Sequence, residues 1–358
     1  MDHEEEIKMK KIGIIGAGGI ARAHATALST IKNAELVGVY DINQQNAESF
    51  VKTFGGKSFE NADELIDASE GLIVASPNFC HKEHALQALG KHKHVLCEKP
   101  MAISLEEASI MKDTAERLSV RASMGFNYRY LSYVNILKSL IINNELGNIL
   151  SIKVHFKKNS ALRRKKFTWR DDANSKKTSG SLGDLGIHLI DMVWYLFESD
   201  FITESVRAKM NTNVKTKEDK QVLVDDYAEI YGQLKNKVFV NIITSKCSVP
   251  EDCGFSIEVV GHKKEFKYHT GNPHVYKLID GLNVVDCPVP QSLLNDPPNE
   301  FYGWADSFRS ELINWIASTQ NDWVEIPSFS DGFRSQEVLE MFFEKDSNSQ
   351  PMSVSAVN

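Results

Sequence analysis

The 358-residue chain contains no apolar run approaching the roughly 20 residues that cross a bilayer, so no helical membrane span is expected. Basic surplus is also missing. Against 41 Lys and Arg stand 48 Asp and Glu, and the formal charge of −7 excludes the profile of a general nucleic-acid binder. The five cysteines, Cys80, Cys97, Cys247, Cys253 and Cys287, are odd in number and lack CxxC spacing. They read as free thiols of a reducing compartment rather than a disulfide framework or a zinc ribbon. The opening segment, Met1–Lys8, is acidic and polar, without the basic-then-apolar order of a secretory signal. It is read as a tail ahead of a natural start at Met9, and the protein is expected in the cytoplasm. Internal repeats are absent, and low-complexity sequence is confined to Arg163–Lys166.

What is present is a change of rhythm. From Lys10 to about Phe126, short apolar runs such as Lys11–Ile15, Leu36–Tyr40, Gly71–Ala75 and Val95–Cys97 alternate with helical stretches. That alternation predicts a parallel sheet covered by helices on both faces. After about Tyr130, strand-like segments follow one another at Ile149–Lys157, Tyr227–Leu234, Val238–Ser245, Ser256–Gly261 and Glu265–His269, which predicts a largely antiparallel sheet. Helices at Ala305–Ala317 and Ser335–Phe343 close the chain, and the polar tail after Lys345 is expected to be disordered. The length exceeds one core. The fold expected is α/β: an N-terminal Rossmann dinucleotide-binding domain over 9–130, and a C-terminal α+β domain with a largely antiparallel open sheet over 131–345.

The first strand runs into Gly16-Ala17-Gly18-Gly19-Ile20-Ala21, a GxGxxA turn opening a helix. Gly16 permits the tight turn, Gly18 lets the backbone approach a pyrophosphate, and Ala21 allows close helix–strand packing. The helix N-terminus then offers unpaired N–H groups to phosphates. Asp41 ends the second strand, where a carboxylate accepts hydrogen bonds from a ribose diol and repels a 2′-phosphate. Ile42 and Asn43 bring no positive charge, so NAD is expected over NADP. The plainer reading of Asp41 is a turn residue. Ser76, Pro77 and Asn78 follow the third strand and His81 opens the next helix, beyond a strand's carboxyl end where ligands of open sheets bind. His81 and His84 lack further ligands at recognisable spacing, so no metal is expected.

The fourth strand ends in Cys97-Glu98-Lys99-Pro100, and the proline fixes the extended backbone that carries Lys99. Lys99, at the sheet's carboxyl edge, is placed to hydrogen-bond a substrate hydroxyl; alone it would read as a solvated lysine. A second cluster runs from Ser179 to Asp191, a glycine-rich loop entering an apolar helix. Asp184, His188, Asp191 and Tyr195 recur at three- and four-residue intervals and share one helical face, which must find partners or line a cavity. His188 is a natural acid/base, and Asp184 can orient it or bind substrate. The structural alternative is a histidine satisfied within a helix interface.

Together these residues resemble the Gfo/Idh/MocA family of oxidoreductases, nearly the whole chain from Met9 onward taking part. The most specific elements are Glu98-Lys99-Pro100 and Asp184-Leu185-Gly186-Ile187-His188. The resemblance implies a catalytic pair of Lys99 and His188 with Asp184 beside them. It places Phe126-Asn127-Tyr128-Arg129 at the nicotinamide end of the site, and Trp169-Arg170 near substrate and cofactor. One departure is visible: Ser179-Gly180-Ser181 stands where the family often has three glycines, a change to loop shape rather than to chemistry.

Arg163-Arg164-Lys165-Lys166, with Arg170 shortly after, read either as a solvated basic loop or as a phosphate grip for a sugar-phosphate substrate. The second domain's sheet is expected to carry helices on one face only. The other face, with Phe239, Ile242 and Val259, would need covering, so a homodimer or homotetramer is expected.

Overall fold

A computed structural model describes residues 9–172 and 178–346; the expectations for Met1–Lys8 and for the C-terminal tail lie outside the described residues. The described chain divides into two compact units. One runs to Leu131 and resumes over Ser292–Gln336; the other comprises Ser132–Gln291 and resumes at Glu337.

The first unit opens with β1 (Lys10–Ile15), α1 (Gly19–Leu28), β2 (Ala34–Tyr40), α2 (Gln44–Phe54), β3 (Lys57–Ser58) and α3 (Ala62–Ala68). It continues through β4 (Gly71–Val74), α4 (His81–Gly90), β5 (His94–Cys97), α5 (Leu105–Leu118) and β6 (Ala122–Met124). The six strands lie in the order β3-β2-β1-β4-β5-β6, and every pairing is parallel. The apolar runs at β1 and β4 are continuous because both faces are covered, and Ile14, Leu72, Ile73 and Val74 are fully buried. Asn43, Asn61 and Ser104 cap α2, α3 and α5, each accepting a backbone N–H with its side-chain oxygen.

The second unit begins with α6 (Ser132–Ile142), β7 (Ile149–Lys157), α7 (Ser160–Arg163), α8 (Ile187–Phe197), β8 (Arg207–Asn211) and the small pair β9 (Thr216–Lys217) and β10 (Lys220–Gln221). Then come β11 (Tyr227–Gln233), β12 (Phe239–Ser245), β13 (Gly254–Gly261), β14 (Glu265–His269), β15 (Val275–Asp280) and β16 (Asn283–Pro288). Eight of these form a sheet ordered β16-β15-β14-β13-β7-β12-β11-β8. All its pairings are antiparallel except β7 with β12, so the sheet is largely antiparallel as expected.

Two expectations are corrected. The segment 131–345 is not one domain: α9 (Trp304–Ser318) and the start of α10 (Phe329–Glu344) belong to the first unit. There Phe308, Leu312, Trp315 and Ile316 join the cluster formed by α1, α2, β1 and β4. Trp315 is 1% exposed, and burying such a ring stabilises the unit by several kcal/mol, about 3–5 on truncation to Ala. The second correction concerns the sheet face. Phe239 is 61% exposed, but Ile242 and Val259 are fully buried on the opposite face. Side chains alternate along a strand, so positions 239 and 242 of β12 cannot point the same way. Phe239 shares its face with Asn241 and Ile243, and across β11 with Tyr231 and Glu229, a mixed rather than apolar surface.

Candidate active site

The cofactor-type residues lie in the first unit. Gly16 adopts φ +101°, and a Cβ there would sit 2.7 Å from the Ala75 carbonyl oxygen, so this position admits glycine alone. Beyond Gly18 and Gly19 a Cβ would meet nothing within 4 Å, and no side chain caps the N-terminus of α1. The space around the start of α1 is therefore open, as a pyrophosphate requires. Ala21 is fully buried, and Ile20 packs against the core. Asp41 follows β2, with Oδ2 accepting from the Ala17 N–H (2.8 Å) and Oδ1 from the Asn43 N–H (2.9 Å). The carboxylate is thus held beside the glycine turn. These features fit a bound NAD: an open, uncapped helix start and a ribose-binding carboxylate.

Ser76, Pro77 and Asn78 follow β4. The buried His81 ring has Nδ1 2.8 Å from the Pro100 carbonyl and Nε2 2.9 Å from that of Ser76. A neutral imidazole donates to one of these only. Burial drives the pKa of His81 down, although both carbonyls favour the charged ring. Both ring nitrogens face backbone carbonyls rather than a ligand. His84 Nδ1 lies 2.9 Å from Ser76 Oγ, and among the described residues no group of three or more His, Cys, Asp or Glu is gathered for a metal.

Glu98 is buried. Its Oε1 lies 2.7 Å from His24 Nε2, and its Oε2 accepts the Lys99 N–H at 3.2 Å. Glu98 therefore braces the backbone of Lys99 and is itself held by His24, a residue of α1 that the sequence did not single out. His24 in turn meets Phe308 edge-on, ring centroids 4.9 Å apart. Asn127 donates to Ser307 Oγ (2.7 Å), and Arg129 pairs with Asp331 (3.1 Å). Burial raises the Asp331 carboxyl, but Arg129 and Ser328 outweigh it and hold the pKa below the ordinary value.

The acid/base-type residues lie in the second unit. Ser179-Gly180-Ser181 leads into a wide π-helical turn over Leu182–Gly186, which feeds α8. Such turns are frequent at functional sites. The departure from three glycines has a physical explanation. Ser181 Oγ donates to Asp225 Oδ2 at 2.6 Å, a bond glycine cannot make, and the Leu182 N–H donates to the same oxygen at 2.9 Å. Gly180 is required beside them, since a Cβ would lie 1.9 Å from Asp225 Oδ1. Burial pushes the pKa of Asp225 up, partly offset by these donors and by Lys246.

Asp184 and His188 sit one turn apart, with His188 5% exposed. Asp184 Oδ2 is 2.8 Å from the Lys246 ammonium, a partner the sequence reading missed. Asp191 is buried, while Tyr195 donates to Asn135 Oδ1 of α6 at 3.0 Å, so the far end of the polar stripe serves helix packing. Ser179 Oγ donates to the Arg170 carbonyl (3.0 Å), which draws Trp169-Arg170 to the glycine turn, and the Arg170 guanidinium lies 4.2 Å over the Trp169 ring. Arg163, Lys165 and Lys166 are exposed. Arg164 is instead engaged, donating to Asp171 Oδ1 at 2.6 Å, where Lys217 also donates at 2.9 Å.

Comparison with known proteins identifies the family. The sequence profile of the "Oxidoreductase family, NAD-binding Rossmann fold" matches residues 10–126, and that of the "Oxidoreductase family, C-terminal alpha/beta domain" matches 138–354. The chain belongs to the Gfo/Idh/MocA family. It is an NAD-dependent oxidoreductase. Among curated relatives, the D-glucoside 3-dehydrogenase of Escherichia coli K12 is 33% identical over 192 residues, 52% of this chain and 53% of that protein. The inositol 2-dehydrogenase of Cereibacter sphaeroides is 26% identical over 90% of both chains. A levoglucosan dehydrogenase structure in complex with NADH and levoglucosan superposes with a TM-score of 0.85 over 96% of this chain and 98% of that one; at 22% identity it speaks to the fold. Among the described residues, no helix is long and apolar enough to cross a membrane.

Proposed function

We propose that this oxidoreductase takes a hydroxyl of a sugar or polyol to the ketone, and that its substrate is a sugar phosphate, D-glucose 6-phosphate oxidised at C3. The observation that carries the phosphate is charge. Asp184 shares its surroundings with Lys246 and Arg170, and the exposed Arg163, Lys165 and Lys166 precede the same loop. Two considerations support C3. One relative is named a D-glucoside 3-dehydrogenase. From Met9 onward the sequence also resembles the glucose-6-phosphate 3-dehydrogenase of bacterial kanosamine biosynthesis, where the 3-oxo product supplies an aminotransferase.

NAD supplies the hydride acceptor when bound. The residues do the proton and charge work. His188 accepts the hydroxyl proton as general base. Lys99, its backbone braced by Glu98 and His24, is the second member of the pair that the family resemblance implies, and its ammonium can stabilise developing negative charge. Asp184 orients His188 or grips a neighbouring hydroxyl. Oxidation of an unphosphorylated sugar or inositol is the second reading. It is favoured by the engagement of Arg164 with Asp171 and by the inositol 2-dehydrogenase relative.

Self-association is part of the proposal. Tyr231 and Phe239, 51% and 61% exposed on the second sheet, are the apolar side chains a second copy would cover. Light scattering of Phe239→Glu against the unmutated protein reads this directly.

The test is NADH formation with NAD and glucose 6-phosphate, glucose, myo-inositol or fructose 6-phosphate. Turnover of glucose 6-phosphate, abolished by His188→Ala and by Lys99→Ala, supports the proposal. Turnover of the unphosphorylated compounds alone leaves the roles standing and discards the phosphate. Inactivity throughout, with NAD still bound, favours a non-catalytic NAD sensor.

A further inference from the structure

Lys246 directly follows β12 and is 8% exposed. Its backbone is clamped on both sides: its N–H donates to the Asp226 carbonyl at 2.7 Å, and its own carbonyl accepts from Ala161 at 2.7 Å. From that fixed origin the ammonium lies 2.8 Å from Asp184 Oδ2 and donates to the Ser179 carbonyl at 2.9 Å. One side chain therefore joins the π-helical turn that carries Asp184 to the glycine loop that precedes it. Ser179 extends the chain of contacts to Arg170 through its hydroxyl.

A buried ion pair is weak support for stability, because well-packed apolar residues of similar volume often do as well or better. Stability alone does not account for a lysine here. The charged groups facing the ammonium are Asp184 on the turn, Arg170 on the preceding loop and Asp225 ahead of β11, with His188 one turn beyond Asp184. Burial pulls the lysine's pKa down; Asp184 is the strongest influence opposing it, Arg170 adds to the lowering, and Asp225 opposes it.

We propose that Lys246 is a positioning residue of the active site, fixing the Asp184 carboxylate in one orientation and keeping it ionised for its work on the substrate. The proposal rests on the assignment of Asp184 to substrate handling. Without the ammonium, that carboxylate loses a positive neighbour 2.8 Å away and protonates more readily.

The test compares Lys246→Met, Lys246→Gln, Asp184→Asn and the double variant Asp184→Asn/Lys246→Met. Steady-state rates are followed across pH, with thermal melting to confirm the fold. Lys246→Met should lower kcat about a hundredfold, the scale of a misplaced reacting group, while the KM for NAD changes little. The acidic limb of its kcat/KM profile should move to higher pH, which a merely structural lysine would not cause. Lys246→Gln preserves a donor to Ser179 without the charge and should show the same displaced limb; it carries the test where Lys246→Met does not fold. The double variant should be no slower than Asp184→Asn, because the two residues act as one. A crippled Asp184→Asn beside lysine variants of ordinary rate and unmoved profile overturns the role of Lys246 alone. An Asp184→Asn enzyme of ordinary rate overturns the role of Asp184, and the proposal falls with it.

Discussion

Replacing Gly180 by alanine introduces a single methyl group at the point where the glycine loop passes Asp225. The new Cβ would lie 1.9 Å from Asp225 Oδ1 and 2.8 Å from its Cγ, whereas ordinary contact begins at 3.4 Å. The backbone at 180 does not adopt a positive φ, so the clash, not strain, sets the cost. The carboxylate is held by Ser181 Oγ at 2.6 Å and the Leu182 N–H at 2.9 Å, and moving it away breaks both bonds. Hydrogen bonds to a charged group contribute about 1.5–3 kcal/mol each, so a destabilisation of about 3 kcal/mol or more is expected. The Gly180 carbonyl also accepts the Asp184 N–H at 3.0 Å, so the displacement reaches the candidate catalytic carboxylate. Urea unfolding measures the first effect and kcat/KM the second, while NAD affinity should be preserved because the cofactor-type residues lie in the other unit. Adding Gly180→Ala to an Asp225→Ala background should cost much less, since the side-chain atoms at 1.9 and 2.8 Å are gone and only the Asp225 carbonyl oxygen at 3.1 Å remains close. A Gly180→Ala protein of unchanged stability and activity would refute the close approach from which this reasoning starts.

Asp41→Ala removes the carboxylate beside the glycine turn and the acceptor of the Ala17 N–H; NAD affinity should fall about tenfold, the scale of one or two lost hydrogen bonds, with a smaller loss for NADP. Titration of protein fluorescence with each nucleotide measures it, and an equal loss for both would contradict the ribose role. Asp171→Asn strips the partner from the buried Lys217 and from Arg164, and should cost about 3 kcal/mol of stability. Burial raises the Asp171 pKa, but Lys217, the Thr168 N–H and Arg164 outweigh it and hold the group below the ordinary value. Its contribution is fully present above about pH 4, the unfolded carboxyl range, and is lost as pH falls through the lower folded value. The melting difference between Asp171→Asn and the unmutated protein should therefore close in acid, and a gap that persists there would contradict the ion-pair account.

The Rossmann half was readable because its signals are local: Gly16 answers a steric demand of the turn, Ala21 is fully buried, and the apolar strands are covered on both faces. The closeness of Asp184 to His188 was readable for a similar reason, the three- and four-residue spacing of Asp184, His188 and Asp191 along one helical segment. Partnerships across long separations were not. Periodicity shows that Phe308, Leu312 and Trp315 form a stripe, but not that the stripe belongs with α1. His24 and Lys246 carried no signal, since a lone histidine in a helix and a lone lysine after a strand have solvated readings that only Glu98 and Asp184 overturn. The strands β15 and β16 were missed because β16 is mostly exposed on both faces and the half-buried β15 shows no two-residue alternation. Ile242 lies three positions from Phe239, and the two-residue period of a strand puts it on the buried face.

The most direct test of the account follows the fate of one hydrogen. Glucose 6-phosphate deuterated at C3 is incubated with the enzyme and NAD, and the reduced cofactor is analysed by mass spectrometry. The account predicts deuterium in the reduced cofactor and a 3-oxo sugar phosphate as product, with neither formed by His188→Ala. Reduced cofactor free of deuterium would contradict oxidation at C3, and no reduced cofactor at all from protein that binds NAD would contradict the substrate itself.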